Sequence, residues 1–145
     1  MKGGNPPRHR FLLPVQVRYA DTDAQGHVFF ANYMTYCDEG FTAYLREIGF
    51  GWDIVQSMGM ALYYVKASCH FKSPAFFENV LHVHTRVTHL GNTSFTGEST
   101  IYKSDSDCLV ATGEIIAVTV TQETGKKTPI PDLLRHAVKS YEGNP

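Results

Sequence analysis

Val15, Val17 and Tyr19 alternate with Gln16, Arg18 and Ala20, the two-residue period of a strand with one covered face. Further on the period lengthens. Tyr33, Cys37, Phe41, Tyr44, Leu45 and Ile48 recur at helical spacing, with Asp38, Glu39, Arg46 and Glu47 between them, and Gly49 stops the run. The spacing predicts a long amphipathic helix. Between strand and helix lie Asp21, Asp23, Gln25 and Gly26, a polar stretch in which glycine permits a backbone conformation that a branched residue resists.

After Gly49 a short helical or irregular piece runs from Trp52 to Met58 and ends at Gly59. The remainder reads mostly as strand. Ala61 to Val65, Ala67 to Lys72, Val80 to His89, Ser94 to Lys103 and Leu109 to Thr121 are rich in Val, Ile, Thr, Tyr and Phe. Leu90-Gly91-Asn92 and Ser104 to Asp107 read as hairpin turns, which makes their flanking strands antiparallel neighbours. Beyond Pro129 and Pro131, the positions Leu133, Leu134, Ala137, Val138 and Tyr141 predict a short C-terminal helix. One helix of about five turns followed by long strands indicates an α+β chain, an antiparallel β-sheet wrapped around one long α-helix. Apolar positions on both faces of one strand, Ile115, Ile116, Val118 and Val120, need cover, and a homodimer would supply it.

Composition narrows the class. The 145 residues, 43% of them apolar, suffice for one core, so residues 11–145 are expected to form a single domain behind a flexible start of residues 1–10. A net charge of -1 with no basic stripe argues against a nucleic-acid partner. Met1 to Pro7 is glycine- and proline-rich and lacks an apolar centre, so it reads as neither signal peptide nor membrane span; the expectation is a cytoplasmic protein with no membrane partner. Cys37, Cys69 and Cys108 are odd in number and widely spaced in apolar patterns, which fits reduced core thiols better than a disulfide framework.

The candidate chemistry lies in Arg18 to Tyr33, RYADTDAQGHVFFANY, where two carboxylates and a glycine turn precede a helix. The first amides of a helix have no intrahelical partner and carry partial positive charge, so they can hold an oxyanion. A carboxylate in the preceding loop can attack a thioester carbonyl, or activate water against it, while an amide near Phe30 stabilises the tetrahedral oxygen. An aspartate in a turn more often bonds local amides, and Asp21 keeps that structural role.

This segment resembles the acyl-CoA thioesterases of the hotdog fold, of the 4-hydroxybenzoyl-CoA thioesterase type. Asp23 falls on the family's catalytic carboxylate, Gly26 on its turn glycine, Phe30 on the position whose amide forms the oxyanion hole, and Asn32-Tyr33 on its helix entry. Asp38 falls on a helical acidic position near the thioester site. The likeness extends more faintly through Lys72-Ser73-Pro74 and Val80 to Thr85, over most of residues 11 to 124. It implies a hotdog fold and hydrolysis of an aromatic or short- to medium-chain acyl-CoA to free acid and coenzyme A, without a cofactor. Asp23 and the Phe30 amide would be catalytic, with Gly26, His27, Phe29, Tyr33 and Asp38 around the substrate. It also implies a homo-oligomer, a dimer or homotetramer with sites at the subunit interface, where Cys69 to Ser73 is the place to look for shared residues.

Two positions depart from the family. Some relatives carry a histidine where this chain has Phe30, which places it nearer the branch working with aspartate and backbone amides alone. Gly91, Asn92 and Thr93 stand where the 4-hydroxybenzoyl enzyme has a basic cluster for coenzyme A phosphates, leaving Lys66, Lys72, Arg86 or Lys103 for that task. Three other readings compete with hydrolysis. A hotdog hydratase or dehydratase needs a catalytic histidine with a helical acid, and no pair here fits. A hotdog module that only binds acyl-CoA would survive loss of Asp23. A cupin-like metal enzyme would use His82 and His84, which share a strand face, with His70, His89 or Glu98; solvated histidines on an exposed face are the simpler account.

Overall fold

The computed structural model describes residues 6 and 8–143. Its elements follow one another as β1 (Phe11–Gln16), a 3-10 turn (Tyr19–Asp21), α1 (Asn32–Glu47), α2 (Trp52–Ser57), β2 (Met60–Phe71), β3 (Val80–Leu90), β4 (Ser94–Lys103), β5 (Leu109–Thr121) and α3 (Asp132–Glu142). The strands form one five-stranded sheet in the order β1-β3-β4-β5-β2, antiparallel throughout. β1 and β2 lie at opposite edges, so the segment joining them must cross the sheet, and α1 is that crossing. This is the antiparallel sheet around one long helix that the pattern predicts, and the hotdog arrangement that the resemblance implies.

Close approach of α1 to the sheet is set by small residues on both sides. A side chain at Gly40 in the helix would meet Val83 at 2.7 Å, and one at Gly113 in β5 would meet the Cys37 sulfur at 2.7 Å. The helix buries Tyr33, Tyr36 and Cys37 against Leu81, Val83, Ile101 and Val110, and its later turns bury Phe41, Tyr44 and Leu45 against Phe95, Ile115, Leu134 and Val138. α3 closes the second cluster. The Tyr44 hydroxyl donates to Glu142 at 2.8 Å, and the same carboxylate accepts the Val87 amide at 3.0 Å.

The structure corrects two boundaries. The first strand ends at Gln16, not at Ala20, because Asp21 captures both the amide and the guanidinium of Arg18 and bends the chain into the 3-10 turn. Tyr19, expected on the covered face, is exposed. The two strands expected around Val65 are one strand, β2, whose register shifts between Tyr64 and Lys66. A bulge of this kind reverses the alternation of faces. It lets Tyr64 from one half of β2, and Ala67 and Phe71 from the other, all reach the α1 side. β2 is also a sheet edge, and Tyr63, Tyr64, Val65 and Phe71 on it are exposed.

Candidate active site

Asp21 and Asp23 stand in one tight turn and meet different surroundings. Asp21 is buried, and its carboxylate accepts hydrogen bonds from the Arg18 guanidinium (2.9 Å), the Arg18 amide (3.0 Å) and the Tyr36 hydroxyl (2.9 Å). Burial opposes its ionisation, but those three donors outweigh it and hold the carboxyl below the usual range. Its carbonyl accepts the Phe29 amide and the Asn32 side chain, each at 2.9 Å. Asp21 thus fixes the start of α1 to the preceding turn, the structural role expected of it.

Asp23 opens the reversal that Gly26 closes. The Gly26 amide donates to the Asp23 carbonyl at 2.9 Å, with Gly26 at φ 87°, in the left-handed region that favours glycine. Thr22 and Val28 then pair across the turn. The Gln25 amide donates to Asp23 Oδ1 at 2.9 Å, which leaves Oδ2 directed toward His27, 3.8 Å from its Nδ1. The His27 ring is itself held, with Nδ1 at 3.1 Å from the Val28 carbonyl and Nε2 at 3.2 Å from the Gln25 amide oxygen.

α1 begins with no side-chain cap and no acidic residue in its first turn. Among the described residues, the amides of Phe30 and Ala31 donate to no protein group. A cavity of about 360 Å³ opens beside this helix start, with His27, Val28, Phe30 and Tyr33 on one side and Phe71, Lys72, Ser73 and Pro74 on the other. The Phe71 ring packs near those of Phe30 (6.2 Å) and Tyr33 (5.6 Å). Burial pushes the Tyr33 hydroxyl up; the Ala75 amide, 3.3 Å away, works against that, and the charges of Cys69 and Asp23 add to it.

His27, Phe30 and Tyr33 therefore line one cavity. Asp23 is not among the residues lining that cavity, but its Oδ2 lies 3.8 Å from Nδ1 of His27, which is. Gly26 lies at the exposed tip of the turn, and Phe29, which does not line the cavity, packs at a tilt against Phe30 with centroids 4.8 Å apart. Asp38 is two turns further along α1, where it accepts the Tyr64 hydroxyl at 2.6 Å. The sequence reading missed the Arg18–Tyr36 clamp on Asp21, although Arg18 lies only three residues before Asp21. It also missed the Asp38–Tyr64 bond, which joins residues 26 positions apart and left no local signal.

Of the four basic candidates for phosphate, Lys72 lines the cavity, and Lys103 lies 5.5 Å over the ring of Phe76, which pairs with His27. Arg86 alternates with Thr85 and Val87 and so belongs to the opposite sheet face, across from Glu98. His84 is buried and its Nδ1 bonds the His9 carbonyl at 2.9 Å, which corrects its reading as a solvated histidine. No three His, Cys, Asp or Glu side chains among the described residues converge on a metal-binding arrangement. Cys37 is buried, and desolvation first, then the neighbouring Cys69, push its thiol up to about 12, so it is protonated at neutral pH. No helix among the described residues is long and apolar enough to cross a membrane.

The fold is that of one protein class: residues 17–138 match the thioesterase-like superfamily, and the chain belongs to it as a thioester hydrolase. A hypothetical protein of Aquifex aeolicus has a similar structure, at 30% identity and a TM-score of 0.82 over 89% of this chain and 99% of that one. A 1,4-dihydroxy-2-naphthoyl-CoA thioesterase from Synechocystis superposes with a TM-score of 0.81 at 29% identity, covering 88% of this chain and 94% of its own. The acyl-CoA thioester hydrolase YbgC of Escherichia coli O6:H1 is 27% identical over 121 residues, 83% of this chain and 90% of YbgC.

Proposed function

We propose that this protein hydrolyses an acyl-CoA, aromatic or of short to medium chain, to the free acid and coenzyme A, with Asp23 as the catalytic carboxylate. The observation that carries the reading is the pair of unengaged amides at Phe30 and Ala31, set beside a cavity next to an aspartate whose Oδ2 is free of the turn's own hydrogen bonds. As nucleophile, Oδ2 adds to the thioester carbonyl, and the Phe30 amide holds the resulting oxyanion. Collapse expels the coenzyme A thiolate, which takes up a proton, and water then cleaves the acyl-aspartate anhydride. As general base, Asp23 instead accepts a proton from the attacking water, and the same oxyanion collapses directly to acid and thiol.

His27, with Nδ1 3.8 Å from Asp23 Oδ2, orients the carboxylate in this scheme. Gly26 shapes the turn, Phe29 supports Phe30 from behind, and Tyr33 forms the cavity wall. Lys72 is placed to meet a coenzyme A phosphate at the rim. The free edge of β2 and the exposed aromatics around the helix start favour a homodimer joined along β2, with each site beside the interface.

Thiol release from benzoyl-, hydroxybenzoyl-, phenylacetyl- and short- to long-chain aliphatic CoA tests the proposal. Turnover of at least one thioester is expected. Binding of these thioesters without release of thiol from any of them would contradict it.

A further inference from the structure

Val83 and Thr85 of β3 face Gly40 of α1, so His82, His84 and Arg86, alternating with them, lie on the outer face of the sheet. Pro6, Arg8 and His9 cross that face as a strap. The Tyr102 hydroxyl donates to the Pro6 carbonyl, the Arg8 guanidinium sits 4.3 Å over the Tyr102 ring and pairs with Asp107 at 2.8 Å, and His84 Nδ1 donates to the His9 carbonyl at 2.9 Å. His84 is 4% exposed, and Thr100, opposite it on β4, is fully buried. His9 Nε2, His84 Nε2, Arg86 Nε and Thr100 Oγ1 are all shut off from solvent, and none has a hydrogen-bond partner among the described residues. None of these four residues lines the motif cavity.

Buried polar atoms are ordinarily paired, so four unpaired ones in one place call for a polar occupant. The surroundings set its charge. Arg8 and His9 on the strap and His82 and Arg86 on β3 are basic, and Tyr102 on β4 is neutral. Of the carboxylates nearby, Asp107 is taken by Arg8, while Glu98, opposite Arg86 in register, forms no ion pair with it, and Glu114 stands one strand further on. An uncompensated cation beside two imidazoles favours an anion and opposes a metal ion, for which no third ligand converges among the described residues. Because the His9 carbonyl fixes the His84 proton on Nδ1, Nε2 is an acceptor in the neutral ring and a donor only in the imidazolium. Burial first, then Arg86 and the His84 ring, lower His9 to about 4; burial, Arg8 and His82 lower His84 against the pull of the His9 carbonyl. We propose that the strap and the outer sheet face enclose a site for a small inorganic anion, held by Arg86, Thr100 and the two imidazoles and taken up together with a proton. Arg86 and Thr100 donate as they stand, and His84 donates once protonated. The His84–His9 bond then ties the filled site to the strap.

Imidazole NMR of the native protein, assigned by triple resonance and titrated in sodium gluconate, sodium chloride and sodium phosphate of equal ionic strength, tests this. Chloride or phosphate should raise the midpoint of the His84 titration above its gluconate value by about one pH unit, a tenfold preference of the anion for the protonated ring. His136, exposed on α3, should not move. Arg86→Gln should abolish the rise and, by removing a neighbouring positive charge, lift His9 in gluconate. The native comparison decides the matter alone if that variant does not fold. Equal His84 titrations in all three salts overturn the site and leave ordered water as its occupant. A full rise in Arg86→Gln overturns it too, as does a rise confined to molar salt, the mark of an adventitious ion only. If coenzyme A raises His84 where phosphate does not, the cluster serves the substrate and the inference fails.

Discussion

Two positions separate Asp21 from Asp23, yet one carboxylate is saturated by Arg18 and Tyr36 and the other keeps an oxygen uncommitted. Replacing one oxygen of a buried acceptor with an amide nitrogen sets a donor against donors and leaves part of that set unsatisfied. Asp21→Asn should therefore cost about 1–3 kcal/mol in urea unfolding. Because its carboxyl is held below the ordinary range, the stability it contributes is complete above an unfolded value of ~4 and is lost as pH falls through the folded value. The acid side of the stability profile should flatten in Asp21→Asn; an unchanged profile would contradict this assignment. At this scale the sequence was legible where the contact is local. The turn at Gly26 and the structural role of Asp21 follow from residue type, whereas the Tyr64 partner of Asp38 depends on how two distant elements meet.

Elements were legible by period and blurred where the period breaks. β4 and β5 have the bounds that alternation predicts, Ser94–Lys103 and Leu109–Thr121, because hairpin turns mark their ends. β2 looked like two strands because the bulge resets its alternation near Val65, and β1 looked longer because Tyr19 continued a pattern that Asp21 interrupts. The packing of α1 on the sheet also depends on contacts no pattern displays. Gly113→Val puts a methyl-bearing carbon where the Cys37 sulfur already lies and should destabilise the protein by about 1–3 kcal/mol. Cys37→Ala vacates that space, so the double variant should recover part of the loss in a thermodynamic cycle. Strict additivity would mean that the two residues do not press on each other.

For the whole molecule, the order β1-β3-β4-β5-β2 makes α1 the bridge between edges and leaves β2 unpaired along its outer side. The need for cover on this sheet follows from the apolar positions on both faces of β5, whereas that β1 and β2 are its edges, and that β2 carries the exposed Tyr63, Tyr64 and Val65, required the topology. If β2 joins two copies, light scattering should give a dimer or a multiple of it, and Val65→Lys, which sets a charge on that exposed edge, should shift the protein toward monomer and lower turnover with it. A fully active monomeric native protein would contradict the shared-edge site. The motif from Asp23 to Tyr33 carries the central claim, and its most direct test compares Asp23→Asn with the native protein in acyl-CoA binding and thiol release side by side. The account predicts a folded variant that still binds acyl-CoA and has lost turnover by about a hundredfold or more; near-native turnover in that variant would contradict it.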